Sequence, residues 1–251
     1  MKIIDVDLYS GGWPCNRAFQ SSLVRMQQEL HCHGIERGLV TPLESIQAGD
    51  NLVMNQSFFE EMERYAPLLK PMLAVNPQLS DLEETLDLYT DRAAAIRLFP
   101  RFQNYSLSDI CLDKVYQAAQ SMSRPVVITL HLFEERTAPQ PFDCLEAVKT
   151  EELLGTATAW PGIDFIFSSP LPREAKGVLA AGRENVFITT SFLEGEGLLE
   201  EMTATYDKSK IFYGSNYPFF YLEAGMKKLS LSGLSIGTKE CIYFNNANNI
   251  F

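Results

Sequence analysis

Short apolar runs alternate with longer amphipathic stretches along the whole chain. Eight runs of strand length are almost continuously hydrophobic, which is typical of parallel strands covered on both faces. The segments between them keep helical spacing, as Leu23, Met26 and Leu30 do before a break at Gly34. The predicted strands are residues 3–8, 35–41, 71–75, 94–98, 125–130, 163–167, 186–190 and 211–213.

Helices are predicted between these strands and after the last of them. A capping-box pattern at residues 80–83 predicts one helix start, and Ser108 or Asp109 is a candidate cap for the next helix. Later helical stretches are expected near residues 143–158, 173–182, 197–206, 221–229 and 238–248. Strands alternating with helices predict an α/β protein, a single (β/α)8 TIM barrel, although an open doubly wound sheet has similar local patterns.

The length of 251 residues suits one such barrel, and no linker, repeat or low-complexity segment divides the chain. We therefore expect a single barrel domain over residues 1–251. A short eighth strand leaves room for a distorted barrel.

The composition of the chain excludes some classes of binding partner but says little about the activity. A net charge of −11 disfavours nucleic acid and anionic membrane surfaces, because both repel an acidic protein. Five scattered cysteines without CxxC spacing are typical of reduced thiols, and no apolar stretch is long enough to cross a bilayer. We expect a cytoplasmic protein with a small-molecule ligand. The composition does not decide whether the protein forms a homo-oligomer.

In a (β/α)8 barrel the carboxyl ends of the strands line the active site. The residues expected there are mostly hydroxyl and amide side chains, with few metal ligands among them. They are Asp7, Tyr9, Thr41, Asn76, Phe99, Pro100, Thr129, His131, Ser168, Ser169, Thr190, Ser191 and Asn216.

Several of these strand ends resemble motifs of the amidohydrolase superfamily. Residues 4–9 (IDVDLY) are similar to its I-D-x-H-x-H, and residues 95–100 (AIRLFP) resemble G-I-K-L-H-P. Residues 125–129 (PVVIT) resemble P-V-x-I-H, residues 212–218 (FYGSNYP) resemble F-G-S-D-x-P, and residues 245–251 (NNANNIF) resemble G-N-A-x-R-L-F. The matches run in order over nearly the whole chain, with further likeness to a branch carrying G-x-W-P and D/E-E-R-T elements at residues 11–14 and 134–137.

The resemblance implies a barrel that normally holds one or two divalent metals, which activate water, and an aspartate that shuttles its proton. Here Asp7 and Tyr9 replace the first two histidines, and Thr129 replaces the third. Ser169 lies where the next histidine is expected, and Asn216 replaces the aspartate. Hydroxyls and a neutral amide are poor substitutes, so we predict that metal ligands are lost and expect no metal or other cofactor.

Asp7 and His131 are the candidate catalytic residues, because a carboxylate and an imidazole can transfer protons. Each has a structural alternative: Asp7 could form a buried ion pair with Arg97, and His131 could make an ordinary polar contact. His31 and His33, at the end of the first helix, are read as surface and packing residues. The candidate substrate-binding residues are Tyr9, Arg97, Tyr105, Thr129, Glu135, Arg136, Ser169 and Asn216.

Three functions fit this sequence. The first is a metal-independent hydrolase or lyase acting on a small polar, carboxylate-bearing metabolite, with Arg97 or Arg136 binding the anion. The resemblance supports it, because the superfamily includes members that open lactones without metal. The second is a non-catalytic barrel that binds a ligand or supports a partner. The third is metal-dependent hydrolysis with rearranged ligands drawn from Asp7, His131, Glu134 and Glu135.

Overall fold

The computed structural model describes residues 1–13, 20–133 and 145–251. Parallel strands form the barrel wall, and all eight predicted strands are present in it. One of the eight is formed by two segments, β4 and β5. The bounds are β1 (Ile4–Gly12), β3 (Arg37–Pro42), β4 (Leu69–Pro71), β5 (Leu73–Ala74), β6 (Ile96–Leu98), β7 (Val126–Thr129), β8 (Phe165–Ser168), β9 (Val186–Thr189) and β10 (Ile211–Phe212). The two-residue β2 (Gln20–Ser21) pairs antiparallel with the end of β1, outside the barrel wall.

The predicted (β/α)8 barrel is confirmed. β1, β3 and β4 pair in parallel, and β5 to β10 pair in parallel in chain order. β4 and β5 form one barrel strand interrupted at Met72, whose N–H donates to Val40 O at 2.8 Å. The barrel closes where Val6 N donates to Tyr213 O at 3.1 Å and Tyr9 N donates to Tyr217 O at 2.8 Å. The predicted distortion is seen as this interruption, as a two-residue β10 and as a bulge in β1.

Helices cover the outside of the wall. Their bounds are α1 (Leu23–Cys32), α2 (Asn51–Met62), α3 (Leu82–Tyr89), α4 (Pro100–Gln103), α5 (Leu112–Ser121), α6 (Thr150–Ala159), α7 (Pro172–Ala180), α8 (Leu198–Thr205), α9 (Leu222–Ser230), α10 (Ile236–Glu240) and α11 (Asn246–Asn248), with a π-helical turn at Cys241–Asn245 and 3-10 turns at Leu43–Ile46, Glu63–Tyr65 and Lys208–Lys210. In the described part of the chain, no helix combines the length and apolar character needed to cross a membrane.

Two predicted helix caps are wrong. The capping box predicted at residues 80–83 does not form: α3 begins directly after Asp81 and no side chain caps it. The Asp81 carboxylate accepts Leu52 N at 2.7 Å and so ties the start of α2 to that of α3. Asp109 accepts Ser106 N at 3.0 Å, and the residue before α5 is Cys111. In both cases the carboxylate accepts a hydrogen bond outside the helix. The donor for Asp81 is distant in the sequence, whereas the donor for Asp109 lies three residues before it.

The barrel interior is layered along its axis. An apolar layer with side chains from every barrel strand fills the amino-terminal end, and Phe251 packs against it. An aromatic and aliphatic layer fills the opposite end, where the strands finish. Between the two lies a polar layer built around Arg97, which is completely buried. A β-bulge in β1, between Asp5 and Leu8, changes the register against β3 within this region.

Candidate functional site

The side chain of Arg97 crosses the barrel interior from β6 to β1. Its Nε donates to Thr129 Oγ1 at 2.9 Å, and its Nη2 donates to Asp7 Oδ1 at 2.7 Å and to Ser168 Oγ at 2.9 Å. The Tyr9 hydroxyl is a further acceptor of Nη2, and the guanidinium carbon lies 4.4 Å from the Tyr9 ring centroid. Alternation along β6 left the direction of Arg97 open, and the structure turns it inward.

Asp7 completes a buried ion pair. Its second oxygen, Oδ2, accepts Ser191 Oγ at 2.5 Å and Ser169 Oγ at 2.8 Å. Burial alone opposes ionisation, but the charge of Arg97 and the hydrogen bonds outweigh it and hold the pKa of Asp7 below its ordinary value. Gly214 makes the close approach possible, because a Cβ there would lie 2.8 Å from both Asp7 Cβ and Ser191 Oγ.

This polar layer does not fit a divalent metal. Among the described residues, no group of three His, Cys, Asp or Glu side chains lies where it could hold a metal ion. The only carboxylate that contacts Arg97 is Asp7, within the described ranges, and the other partners of Arg97 are hydroxyls. A permanent cation at this position would also repel a second one.

A plug of aromatic rings covers the polar layer on the side where the strands end. The Phe219 ring lies 5.8 Å from Tyr9 and 5.9 Å from Trp13, measured between centroids. Phe133 lies 5.7 Å from Trp13 and 6.2 Å from Phe219. Because Asp7 lies beneath this plug, it is completely buried. These aromatic side chains therefore close the mouth of the barrel.

His131 lies beside the polar layer and is held from two sides. Its Nδ1 is 2.9 Å from Arg101 Nη1, and its Nε2 is 3.0 Å from Glu174 Oε2. A guanidinium can only donate, so Nδ1 must accept, and Nε2–H must donate to the carboxylate. This arrangement selects the neutral Nε2–H tautomer. Glu174 is fixed in turn, because Leu171 N donates to it at 2.8 Å at the start of α7.

Next to His131, a cavity of about 740 Å³ opens between the ends of β9 and β10 and helix α9. Ser191 lines it and also donates to Asp7, so this serine connects the cavity with the buried ion pair. Lys228 reaches the cavity from α9, and its Nζ donates to Thr190 O at 2.7 Å. Aromatic side chains supply much of the remaining wall: Phe192, Phe219, Phe220 and Tyr221.

The structure thus brings Asp7, Tyr9, Thr129 and Ser169 together, as the strand-end argument predicted, and it adds Arg97, whose direction the sequence left open. The roles of these residues in binding and catalysis stay predictions. The other candidates lie elsewhere. Asn216 is buried near the mouth, where its Nδ2 donates to Leu132 O at 2.8 Å.

Tyr105 is separate from that group. Its hydroxyl accepts Phe99 N at 3.1 Å, and its ring belongs to the core between strands and helices. Glu135 and Arg136, together with Glu134 and Thr137, lie outside the described residues.

Lys228 and Glu174 were not predicted as site residues. Both lie on helices, whereas the strand-end rule reaches only residues that follow a strand. A weak signal existed for Lys228: it is three residues after Gly225 and one before the buried Leu229, so it lies at the edge of the inward face of α9.

A second buried carboxyl group, Asp5, lies behind the polar layer. Its Oδ1 accepts Asp7 N at 3.0 Å and Ser215 N at 3.1 Å, whereas its Oδ2 is buried without a hydrogen-bond partner in the described ranges. Burial raises the pKa of Asp5 to about 7, since the hydrogen bonds compensate only in part and the charge of Asp7 adds to the increase.

Searches with the sequence found no matching protein-family model and no matching curated protein. Solved structures do match. The 2,6-dihydroxybenzoate decarboxylase from Rhizobium superposes with a TM-score of 0.76 at 11% identity, covering 100% of this chain and 98% of that one. A dihydroxybenzoic acid decarboxylase from a Polaromonas species, with bound manganese and the inhibitor 2-nitroresorcinol, gives 0.76 at 14% identity, with coverage of 99% and 96%.

A third structure, a putative amidohydrolase from Staphylococcus aureus, superposes with a TM-score of 0.75 at 11% identity, covering 100% of this chain and 99% of that one. At such low identities the likeness establishes the fold. It confirms the predicted (β/α)8 barrel, which is similar to the barrels of these two decarboxylases and of this putative amidohydrolase.

Proposed function

We propose that the protein acts on a small carboxylate-bearing molecule as a metal-independent hydrolase or lyase. One observation carries the proposal: the guanidinium of Arg97 is surrounded by Asp7, Tyr9 and Thr129, three residues at positions where the motifs of related barrels have histidines. A fixed positive charge on the protein therefore takes the place in which a metal ion would supply one.

The electrostatic role of such a charge is well defined. A preorganised cation in a water-poor site stabilises negative charge that develops on a substrate, and it does so without reorganisation at the moment of reaction. A guanidinium also suits carboxylates because of its planar donor geometry. The Nη1 atom of Arg97 is buried and has no hydrogen-bond partner among the described residues, and Arg97 does not line the neighbouring cavity, so it acts on a ligand there through its charge.

In this proposal Asp7 accepts a proton from the substrate, and Ser191 relays it from the cavity. Since the pKa of Asp7 is held below its ordinary value, Asp7 is ionised at neutral pH and can only accept a proton there. Ser191 lies between Asp7 and the cavity and donates to Asp7 at 2.5 Å. His131 has both nitrogens engaged, so its role in this proposal is to position the cavity wall.

The substrate class rests on the structural neighbours as well as on Arg97. Two of them are decarboxylases of dihydroxybenzoic acids, and one of these carries manganese. The same barrel shape is therefore compatible with small aromatic carboxylates. In this chain the metal-independent form of the reaction is proposed, because the residues around Arg97 do not fit a divalent ion.

The test is a calorimetric titration of the metal-free protein with Mn²⁺ and Zn²⁺, paired with a carboxylate screen in EDTA. We expect no stoichiometric metal uptake, and saturable binding or turnover of a small carboxylate that EDTA does not reduce. Resorcinol serves as the matched ligand control for 2,6-dihydroxybenzoate, since it lacks only the carboxylate. Uptake of one metal ion per chain, with activity that depends on it, would show that metal independence is wrong.

The complete burial of Asp7, Tyr9 and Arg97 favours a second candidate, a non-catalytic barrel that binds its ligand in the neighbouring cavity. This candidate predicts saturable binding of the carboxylate with no product detectable by mass spectrometry after prolonged incubation. Turnover that is lost in Asp7→Asn would eliminate it.

A further inference from the structure

We propose that the cavity between α9 and the ends of β9 and β10 is the binding site for an aromatic carboxylate, with the ammonium of Lys228 as its anion anchor. This inference rests on the proposed function for the carboxylate and adds where the molecule binds and which residue holds it. Lys228 lies on a helix and is not among the residues that the strand ends predicted for the site.

The first argument is the environment of Lys228. Its side chain is only 16% exposed, although it carries a charge. Nζ donates to two backbone carbonyls, Thr190 O at 2.7 Å and Ser191 O at 3.3 Å, and these partners are neutral. Burial lowers the pKa of Lys228, with Glu194 opposing the change, so the cation is only partly compensated. An anion in the cavity would complete the compensation.

The second argument is the weakness of the existing ion pair. Glu194 approaches Lys228 Nζ at 3.3 Å, but its side chain is 70% exposed. Such a carboxylate loses little when it returns to solvent, because exposed ion pairs contribute little stability. A ligand carboxylate can therefore displace Glu194 while the two carbonyl contacts continue to hold Nζ in place.

The third argument is the shape and chemistry of the walls. Phe192 and Phe220 face each other with centroids 4.8 Å apart and planes inclined by 50°, and they provide an apolar surface suited to an aromatic ring. Ser215, a cavity residue on the β10 side, has a hydroxyl that accepts Tyr217 N at 3.2 Å and adds a polar group to the wall. A volume of about 740 Å³ accommodates a small aromatic acid with ordered water.

The charged groups around the cavity favour one anion rather than a cation. Glu174 is already engaged by His131 at 3.0 Å and by Leu171 N at 2.8 Å. Asp7 is neutralised by Arg97. Lys228 is therefore the charged group at this cavity, in the described part of the chain, whose counter-charge is mostly in solvent. A planar acid with one carboxylate matches this arrangement.

The experiment is isothermal titration calorimetry at neutral pH with benzoate, 2,6-dihydroxybenzoate, resorcinol and succinate. Lys228→Gln removes the anchor, and Ala224→Phe fills part of the cavity while it keeps the charge of Lys228. Lys227→Gln is the matched control, since Lys227 is the neighbouring lysine of α9 but is 68% exposed and paired with Glu223. Circular dichroism and thermal midpoints verify that each variant is folded.

We expect wild type and Lys227→Gln to bind an aromatic carboxylate equally, and Lys228→Gln and Ala224→Phe to bind it at least about tenfold more weakly. Resorcinol should bind weakly throughout. Unchanged binding in both cavity variants would overturn the cavity assignment and leave the proposed function standing, as would binding of succinate alone. Failure of wild type to bind any of the carboxylates would overturn this inference together with the proposed substrate class.

Discussion

The protein places two ion pairs on the two sides of Ser191, in very different surroundings. Arg97 and its counter-ion Asp7 are both completely buried, and their contact of 2.7 Å is reinforced by hydroxyl groups on several strands. Lys228 and Glu194 also form an ion pair, but at 3.3 Å and with a largely exposed carboxylate. We call the first pair closed, because both of its members are buried, and the second open, because its carboxylate lies largely in solvent. Ser191 contacts both pairs.

This difference indicates that the Arg97–Asp7 pair is fixed by the structure, whereas the Lys228–Glu194 pair can respond to a ligand. A buried pair has little room to exchange partners, since removing either member leaves an uncompensated charge. An open pair can exchange its exposed member for a ligand at small cost. The barrel axis is thus the part of the site that is preorganised, and the cavity beside α9 is the part that can respond to what enters it.

The largest expected effect comes from breaking the closed pair. Arg97→Met should lower the free energy of unfolding by about 3–5 kcal/mol, because Asp7 stays buried without its cation. Arg92→Met is the control: Arg92 pairs with Glu63 at 3.0 Å but is 41% exposed, and its loss should cost no more than about 1 kcal/mol. Urea unfolding measures both. Equal losses in the two variants would show that burial does not distinguish these pairs.

Adding Asp7→Asn to Arg97→Met should recover part of the loss, because the uncompensated carboxylate is then gone. A double variant less stable than Arg97→Met would mean that the hydroxyl contacts to Asp7, not its charge, dominate the energetics.

The next effect is a pH dependence caused by Asp5. Its pKa in the folded protein is raised from 3.8 to about 7, so the folded state binds the proton more tightly than the unfolded state. The contribution of Asp5 to stability is therefore greatest below pH 4 and is lost as the pH rises to about 7, by a few kcal/mol in total. Asp7 acts in the opposite sense and matters below its ordinary pKa of 3.8.

Asp5→Asn should flatten this decline, since an amide keeps an acceptor for Asp7 N and Ser215 N and cannot ionise. Thermal unfolding between pH 5 and 8 measures it, with the exposed Asp87→Asn as the control. If Asp5→Asn and wild type lost stability in parallel over this range, Asp5 would not be the titrating group.

The smallest effect concerns the open pair. Glu194→Gln should change the free energy of unfolding by less than about 0.5 kcal/mol, because the pair is mostly solvated. It should nevertheless strengthen binding of an aromatic carboxylate by about two- to fivefold, since the competing carboxylate is removed. Calorimetry with 2,6-dihydroxybenzoate provides the measurement. Weaker binding in Glu194→Gln would indicate that Glu194 holds Lys228 in position and does not compete with the ligand.

Much of the fold could be predicted from local pattern. All eight strands were found, because strands buried on both faces need continuous apolar residues and the turns between elements do not. The gathering of Asp7, Tyr9, Thr129 and Ser169 also followed from the rule that strand ends meet at one face of a barrel. The capping box predicted at residues 80–83 and the cap predicted at Ser108 or Asp109 do not form, and the carboxylates of Asp81 and Asp109 accept backbone N–H groups outside their helices.

The sequence by itself determined the barrel, since its wall depends on residue type at strand spacing. The loss of metal ligands, which the resemblance implies, stays a prediction. Only the tertiary structure decided that Arg97 points inward and pairs with Asp7, because period-two alternation does not say which face of β6 is the interior. The bulge in β1 and the reach of Lys228 from α9 into the cavity were also decided in three dimensions. Both depend on how neighbouring elements pack, and packing is a property of distant residues brought together.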